Sequence, residues 1–412
     1  VVRTDKNNYV DCMGNFGADG IVGPHAEKEG SYYTIKEVWC PVQLTWNDVE
    51  KGELTLSNQY NFVNLKDCRF SYRLLQMPAM GSTQVKVLKQ GNLSSPDVAP
   101  GKEAQVKIPM MANADAVEIK AVNHEGEEIM TWSRGVKSEE RRVKNSSAPS
   151  TSSAAYADQA DAVEVKAGGR TYRFAKKDGR LMGVEVGSKA ISLSNGPRFM
   201  AARRSDRSLD QFYNHDDKEA EKKKTLYTEF VDQGAFAGFE WKEAEAKLVA
   251  TYQHGSLDEV DWQFLSDGSV AVTCHYNFGG VVDMMGMAFD YPESKVRSKA
   301  WVGNGPYRVW QNREQGPQYG YWQNDYNDPI PAESWDYPEF KGYFANVKWM
   351  QFKTDEGKIG FSGLTADEHM GVYTPRDGRD GLLYTLPQTG LAVFKVIPSV
   401  RNKVNTTDLN GP

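Results

Sequence analysis

Several residue types are scarce in this chain of 412 residues, and each scarcity closes off a class of function. It has four cysteines, Cys12, Cys40, Cys68 and Cys274, with no C-x-x-C spacing among them. They give no metal pattern, and although an even count permits disulfides that sequence does not pair, isolated thiols are the expectation. The six histidines, His25, His124, His215, His254, His275 and His369, contain no H-x-x-H or H-x-x-x-H step and carry no metal signal. No apolar run approaches the roughly 20 residues of a membrane-spanning helix, and "VVRTDKNNYV" lacks the charged-then-apolar plan of a secretory signal. Positive charge is short as well: 49 basic against 55 acidic residues give a net charge of −6, and the longest basic block is Lys222–Lys224. Neither a nucleic acid nor a membrane is therefore expected as a partner.

What the chain does have is apolar and aromatic material, 40% and 11% of residues, enough for two or three cored domains. Ser31 stands as an N-cap before "SYYTIKEVW", whose Tyr33, Lys36 and Glu37 recur at helical spacing, and Pro41 stops that helix by removing a donor. From Val42 to about Arg134 the pattern becomes period-two alternation in "GELTLSNQYNF", "CRFSYRLL", "TQVKVLKQG", "AQVKIPM", "DAVEIKAVN" and "EIMTWSR". Roughly six or seven short strands of this kind fit an immunoglobulin-like sandwich. "SEERRVKNSSAPSTSSAAYADQAD" is almost free of large apolar residues and reads as a linker or surface loop. Alternation then resumes, with tight turns expected at Gly168-Gly169, Asp178-Gly179 and Asp267-Gly268, and a large antiparallel sandwich is the expectation for the remainder. The clearest helical signal inside it is Leu209–Glu229, whose "DDKEAEKKK" reads as a solvated face.

Three runs, in this order, resemble the C-terminal part of a glycoside hydrolase family 2 enzyme of the β-galactosidase type. "ADGIVGPHAEKEGSYYTIKEVWCPV" resembles that family's passage out of its catalytic barrel, "LSNQYNFVNLKDCRFSYRLL" its next domain, and "AWVGNGPYRVWQNREQGPQYGYW" a "GxGPxExYxDRxxGAxxGxY" run of its terminal domain. The resemblance implies a mainly β chain. Residues 1–40 would be the tail of a (β/α)₈ barrel, 41–140 an immunoglobulin-like sandwich, 141–161 a linker, and 162–412 a galactose-mutarotase-like supersandwich of the β-galactosidase small-chain kind.

A retaining glycosidase uses two carboxyl groups about 5 Å apart, one as acid/base and one as nucleophile. In the resembled family both are glutamates on barrel strands, in an order that places them upstream of Val1, so no catalytic residue is assigned here and the chain alone is expected to be inactive. The expected partners are a β-glycoside or oligosaccharide substrate, an N-terminal catalytic half, and, left open, a second copy of the chain. No cofactor is assigned within the chain; the resemblance suggests Mg²⁺ or Na⁺ in the whole enzyme. It also suggests a bacterial periplasm or cell surface, with any signal on the upstream part.

By position, Phe16 corresponds to an aromatic that in the family lies near bound galactose and a monovalent ion. Asp19 stands where the family has Asn, which adds a negative charge and favours a cation or a different hydroxyl pattern; the residue-level alternative is a Gly-rich turn with a local Asp bond. The family's acidic "fwRAPTDND" run appears here as "GPRFMAARRSDRS", and its "PQENGN" turn as "YPEFKGYFANVKW", so neither is assigned a role.

Tryptophans crowd the region 301–349. Trp301, Trp310 and Trp349 are expected in the core, whereas Trp322 and Trp335 flank the polar loop "NDYNDPIPAES" and are the candidates to stack on a sugar face. Asn324, Asp325, Asn327 and Asp328 offer oxygen ligands but match no calcium-loop spacing. Two other readings remain open: a stand-alone glycan-binding or structural module, and a mutarotase- or lyase-like catalytic sandwich drawing on His254, His275, Arg308, Tyr319 and Tyr321. Tyr32, Tyr33 and Trp39 would need the second, immunoglobulin-like domain as cover.

Overall fold

A computed structural model describes residues 30–136, 154–204, 232–325, 342–373 and 389–399, with the short pieces 2–3, 9–10, 21–22, 28 and 227–230. Among the described residues the chain is mainly β, with antiparallel pairing throughout, and its one α-helix is Gly30–Val38. That helix ends where expected. Trp39 N–H still reaches Ile35 C=O (2.9 Å) and Cys40 N–H reaches Glu37 C=O (3.2 Å), but Pro41 has no N–H to continue, and a strand starts at Val42.

Residues 42–135 form two facing sheets. One orders Val42–Asp48, Glu53–Asn58 and Glu103–Lys107; the other orders Lys86–Leu93, Arg69–Gln76, Ala116–Val122 and Glu128–Gly135. Alternation sends Leu54 and Leu56 inward from the first sheet to meet Phe70, Tyr72, Leu74, Val117 and Ile119 from the second. Asn58, fully buried, replaces a ladder at the end of its strand: Nδ2 donates to the carbonyls of Val63 and Val98 (both 2.8 Å), and Oδ1 accepts from Tyr60 N–H (2.9 Å). Asn64 does the same one turn on, its Oδ1 accepting from Lys66 N–H (3.0 Å) and Val98 N–H (3.1 Å). These bonds explain the "LSNQYNFVNL" run, since buried backbone groups in a turn must be paired. Cys40 and Cys68 are buried here as free thiols; Cys274 is free too, and Cys12 lies outside the described residues.

The second unit is built on a ten-stranded sheet whose main path runs Ala155–Asp158, Ala162–Ala167, Arg170–Ala175, Leu181–Val186, Ser194–Arg204, Met284–Asp290, Leu391–Val396 and His369–Val372. Two four-stranded sheets accompany it, one over 235–276 and one over 296–362. Period-two sidedness fixes how they stack. Met287 and Phe289 join the core under the first small sheet, and their cross-strand partners Val393 and Leu391 join the core under the second, so both small sheets cover one face. Met200, Ala202, Met284, Ala288, Ala392 and Phe394 point to the opposite face, where Val309, Trp310, Tyr343 and Ala345 pack over them.

The glycine turns behave as the sequence suggests. Gly168 and Gly169 (φ +54° and +73°) join Ala162–Ala167 to Arg170–Ala175, and a Cβ on Gly168 would come within 2.3 Å of Gly268 Cα, so two of the expected hairpin turns touch. Two expectations differ. Ala155–Asp158, within the stretch read as a linker, is an edge strand; such a strand needs little apolar surface, and Tyr156 stacking on Trp241 (5.5 Å) supplies it. The helical signal at Leu209–Glu229 lies outside the described residues up to 226, and its last residues belong to the strand Tyr227–Phe230, paired with Ser194–Arg204.

Candidate functional site

Gln318–Asp325 is the edge strand of its sheet and carries Trp322. Its partner Val296–Gly305 sets Trp301 opposite Trp322, Lys299 opposite Asn324 and Gly303 opposite Gly320. The Trp322 indole donates Nε1–H to Gly303 C=O (3.1 Å) and lies over the glycines of "GNGP" and "QYGYW": a Cβ on Gly305 would approach its ring to 2.6 Å. These glycines are absences that make room for the ring. Trp322 is half-buried beside a core that includes Trp301 and Phe344, which leaves part of its surface at the sheet edge.

Even-numbered positions of the strand share that side. Asn324 follows Trp322 there, with its Oδ1 buried and without a hydrogen-bond partner. Lys299 is 1% exposed; its ammonium donates to Asp325 C=O (3.2 Å) and lies 5.8 Å from the Phe344 ring, and the Arg308 guanidinium lies 5.1 Å from the same ring. Odd-numbered positions face the other way. Tyr319 and Tyr321 join Val302, Trp349, Leu75, Met77 and Ala116 in a core between the two sandwiches, where Trp349 Nε1–H donates to Pro78 C=O (2.9 Å).

Helix Gly30–Val38 is fastened to both sandwiches beside this strand. Tyr33 packs on Tyr307 (5.2 Å), Thr34 Oγ1 donates to Gln315 C=O (2.9 Å), and Glu37 Oε2 accepts from Gly316 N–H (2.6 Å). Gly316 has φ +103°, and a Cβ there would come within 2.8 Å of Thr34 N, so this approach needs glycine. Burial pushes the Glu37 carboxyl above its ordinary range, and the Gly316 bond opposes that only in part. On the other side Lys36 pairs with Glu128 (2.8 Å), while Ser133 donates its N–H to Gln318 Oε1 (2.8 Å) and its Oγ–H to Tyr319 C=O (2.6 Å). The ring packed on Tyr33 thus belongs to the terminal unit and not to the immunoglobulin-like domain expected to cover it, and Trp39 remains 77% exposed.

Of the four sugar-contact candidates, Trp322 is described; Phe16, Asp19 and Trp335 lie outside the described residues, as do Asn327 and Asp328. No described side chain is thereby assigned to the Mg²⁺ or Na⁺ that the resemblance suggests. Trp301, Trp310 and Trp349 are buried as expected. The groups considered for a catalytic sandwich are dispersed: Tyr319 and Tyr321 face the first sandwich, Arg308 faces Phe344, His254 occupies a turn at φ +59°, and His275 lies on a strand of the other small sheet. Sequence spacing also missed a grouping of Glu259, Asp261 and His275, because antiparallel pairing and not i,i+3 recurrence brings them together.

Two family profiles match the chain. Residues 54–132 match the family described as beta-galactosidase, domain 4, and residues 166–382 match the one described as beta galactosidase small chain. No curated protein matches. The second match spans more than half of the chain and contains the glycine-lined strand pair with Trp322, and the chain accordingly belongs to the beta galactosidase small chain family.

Proposed function

We propose that the chain is the C-terminal accessory region of a β-galactosidase-like retaining glycoside hydrolase, which hydrolyses O-glycosyl bonds with two glutamates supplied from outside residues 1–412. The observation that carries this reading is the order of the matches, domain 4 at 54–132 and then small chain at 166–382, behind a helix bonded to both sandwiches. In such an enzyme one carboxyl protonates the leaving oxygen and the other forms the glycosyl intermediate. The sandwiches' part is to hold a wall beside that pair. Trp322, with Phe16, Asp19 and Trp335, supplies contacts for the sugar; an aromatic face suits the apolar C–H face of a pyranose.

The test is turnover and calorimetry on the chain with aryl β-glycosides and free galactose. The expected result is no hydrolysis, weak sugar binding, and at least a several-fold loss of that binding in Trp322→Ala. Cleavage by the chain alone would overturn the accessory role, and binding unchanged in Trp322→Ala would remove that residue from the sugar wall.

A further inference from the structure

We propose that Glu259, Asp261 and His275 bind a divalent transition-metal cation of the Zn²⁺ class on the outer face of the small sheet 235–276. The strand Leu257–Phe264 sends Val260, Trp262 and Phe264 into the core, and alternation puts Glu259 and Asp261 on the side away from it. The neighbouring strand Val270–Tyr276 pairs His275 directly with Glu259 and Thr273 with Asp261. One ligand atom from each of the three residues lies within 4.8 Å of the other two, and His275 Nε2 is 4.0 Å from Asp261 Oδ2.

Two further observations at the same place point to a cation. Asp261 Oδ1 is buried and has no hydrogen-bond partner, a state that costs a carboxylate oxygen free energy unless something positive meets it. Charge is also unbalanced: Glu245 and Asp261 share the single ammonium of Lys247 (3.4 and 3.1 Å), with Glu259 alongside. One imidazole nitrogen and two carboxylate oxygens suit Zn²⁺, Mn²⁺ or Co²⁺ better than the all-oxygen shells of Ca²⁺ and Mg²⁺. Three protein ligands leave positions for water. The metal–ligand bonds of ~2.0–2.2 Å require the group to contract, and the His275 ring, 53% exposed, is free to swing inward. Binding there would fasten Val270–Tyr276, an edge strand, to its neighbour.

Calorimetric titration of the metal-free chain with Zn²⁺, with Co²⁺ absorption as a second probe, tests this. One equivalent should bind, the thermal transition should rise with Zn²⁺, and His275→Ala and Asp261→Asn should each weaken binding at least tenfold and abolish the thermal response. Lys247→Met frees the Asp261 carboxylate and should tighten binding. His275 is half exposed, so its replacement leaves the fold intact by hydrogen exchange. No binding to the unaltered chain, or an isotherm unchanged in both variants because the ion sits on other histidines, would overturn the proposal.

Discussion

Glu356 accepts from four donor groups, and replacing it gives a readout with a pH signature. It lies in a turn of the small sheet 296–362, and its carboxylate accepts from Ser192 N–H (2.9 Å), Ser192 Oγ–H (2.7 Å), Tyr291 O–H (2.9 Å) and the Lys295 ammonium. Ser192 and Tyr291 flank strands of the ten-stranded sheet, so one carboxylate ties the two sheets together. Burial by itself would raise the Glu356 pKa, but the Lys295, Ser192 and Tyr291 donors outweigh it and hold the group down to about 2, against 4.5 ordinarily. At 1.36 kcal/mol per unit that depression sets a ceiling of about 3 kcal/mol, and solvent around Lys295, whose side chain is 37% exposed, screens part of it. A carboxyl with a depressed folded pKa contributes stability above its unfolded pKa and loses that contribution as pH falls through the folded value.

Glu356→Gln should therefore cost about 1–2 kcal/mol at pH 7, the ceiling reduced by solvent screening. The penalty should shrink steadily below about pH 4.5, where the unfolded chain begins to bind the proton that the folded carboxyl does not take up until about pH 2. Urea unfolding followed by tryptophan fluorescence at pH 7, 5, 4 and 3 measures both. A cost under about 1 kcal/mol at pH 7, or one that does not change between pH 5 and 3, would refute the assignment of the depressed pKa to these donors.

Asn58→Ala strands two buried carbonyls and one N–H in the first sandwich, and should lower its stability by about 3–5 kcal/mol, read as faster hydrogen exchange over 42–135 than over 155–396. Glu37→Ala should release the helix, raising exchange at residues 30–38 with the sandwich cores unchanged, whereas Glu37→Gln, which keeps an acceptor for Gly316 and sheds the buried charge, should stay within about 1 kcal/mol of the parent.

The strands were legible because each buries one face: "ELTLSN" and "AVEVKA" alternate as their burial does. The turns were legible because Gly168, Gly169, Gly179 and Gly268 supply positive φ that few other residues tolerate. Strand Ala155–Asp158 was not legible, since an edge strand held by one aromatic stack leaves no periodic trace. Nor was the Glu259, Asp261 and His275 group, because its members meet through register, which local spacing does not encode. Trp322 was legible as a candidate through the polar loop that follows it, but its hydrogen bond to Gly303 and the glycines beneath it came only from the pairing of two strands.

That pairing explains how adjacent residues of one strand come to serve different ends. In Gln318–Asp325 the odd positions Tyr319 and Tyr321 are spent on the core between the sandwiches, and the even positions Gly320, Trp322 and Asn324 on the side with Lys299 and Phe344. The same strand begins at Gln318, whose amide meets both Ser133 of the first sandwich and Glu37 of the helix. A shift of register by one residue would exchange the two faces and break all of these contacts together. The helix, the first sandwich and the Trp322 edge are therefore positioned by one strand, which is what the proposed accessory role would need in order to present an aromatic wall at a fixed place.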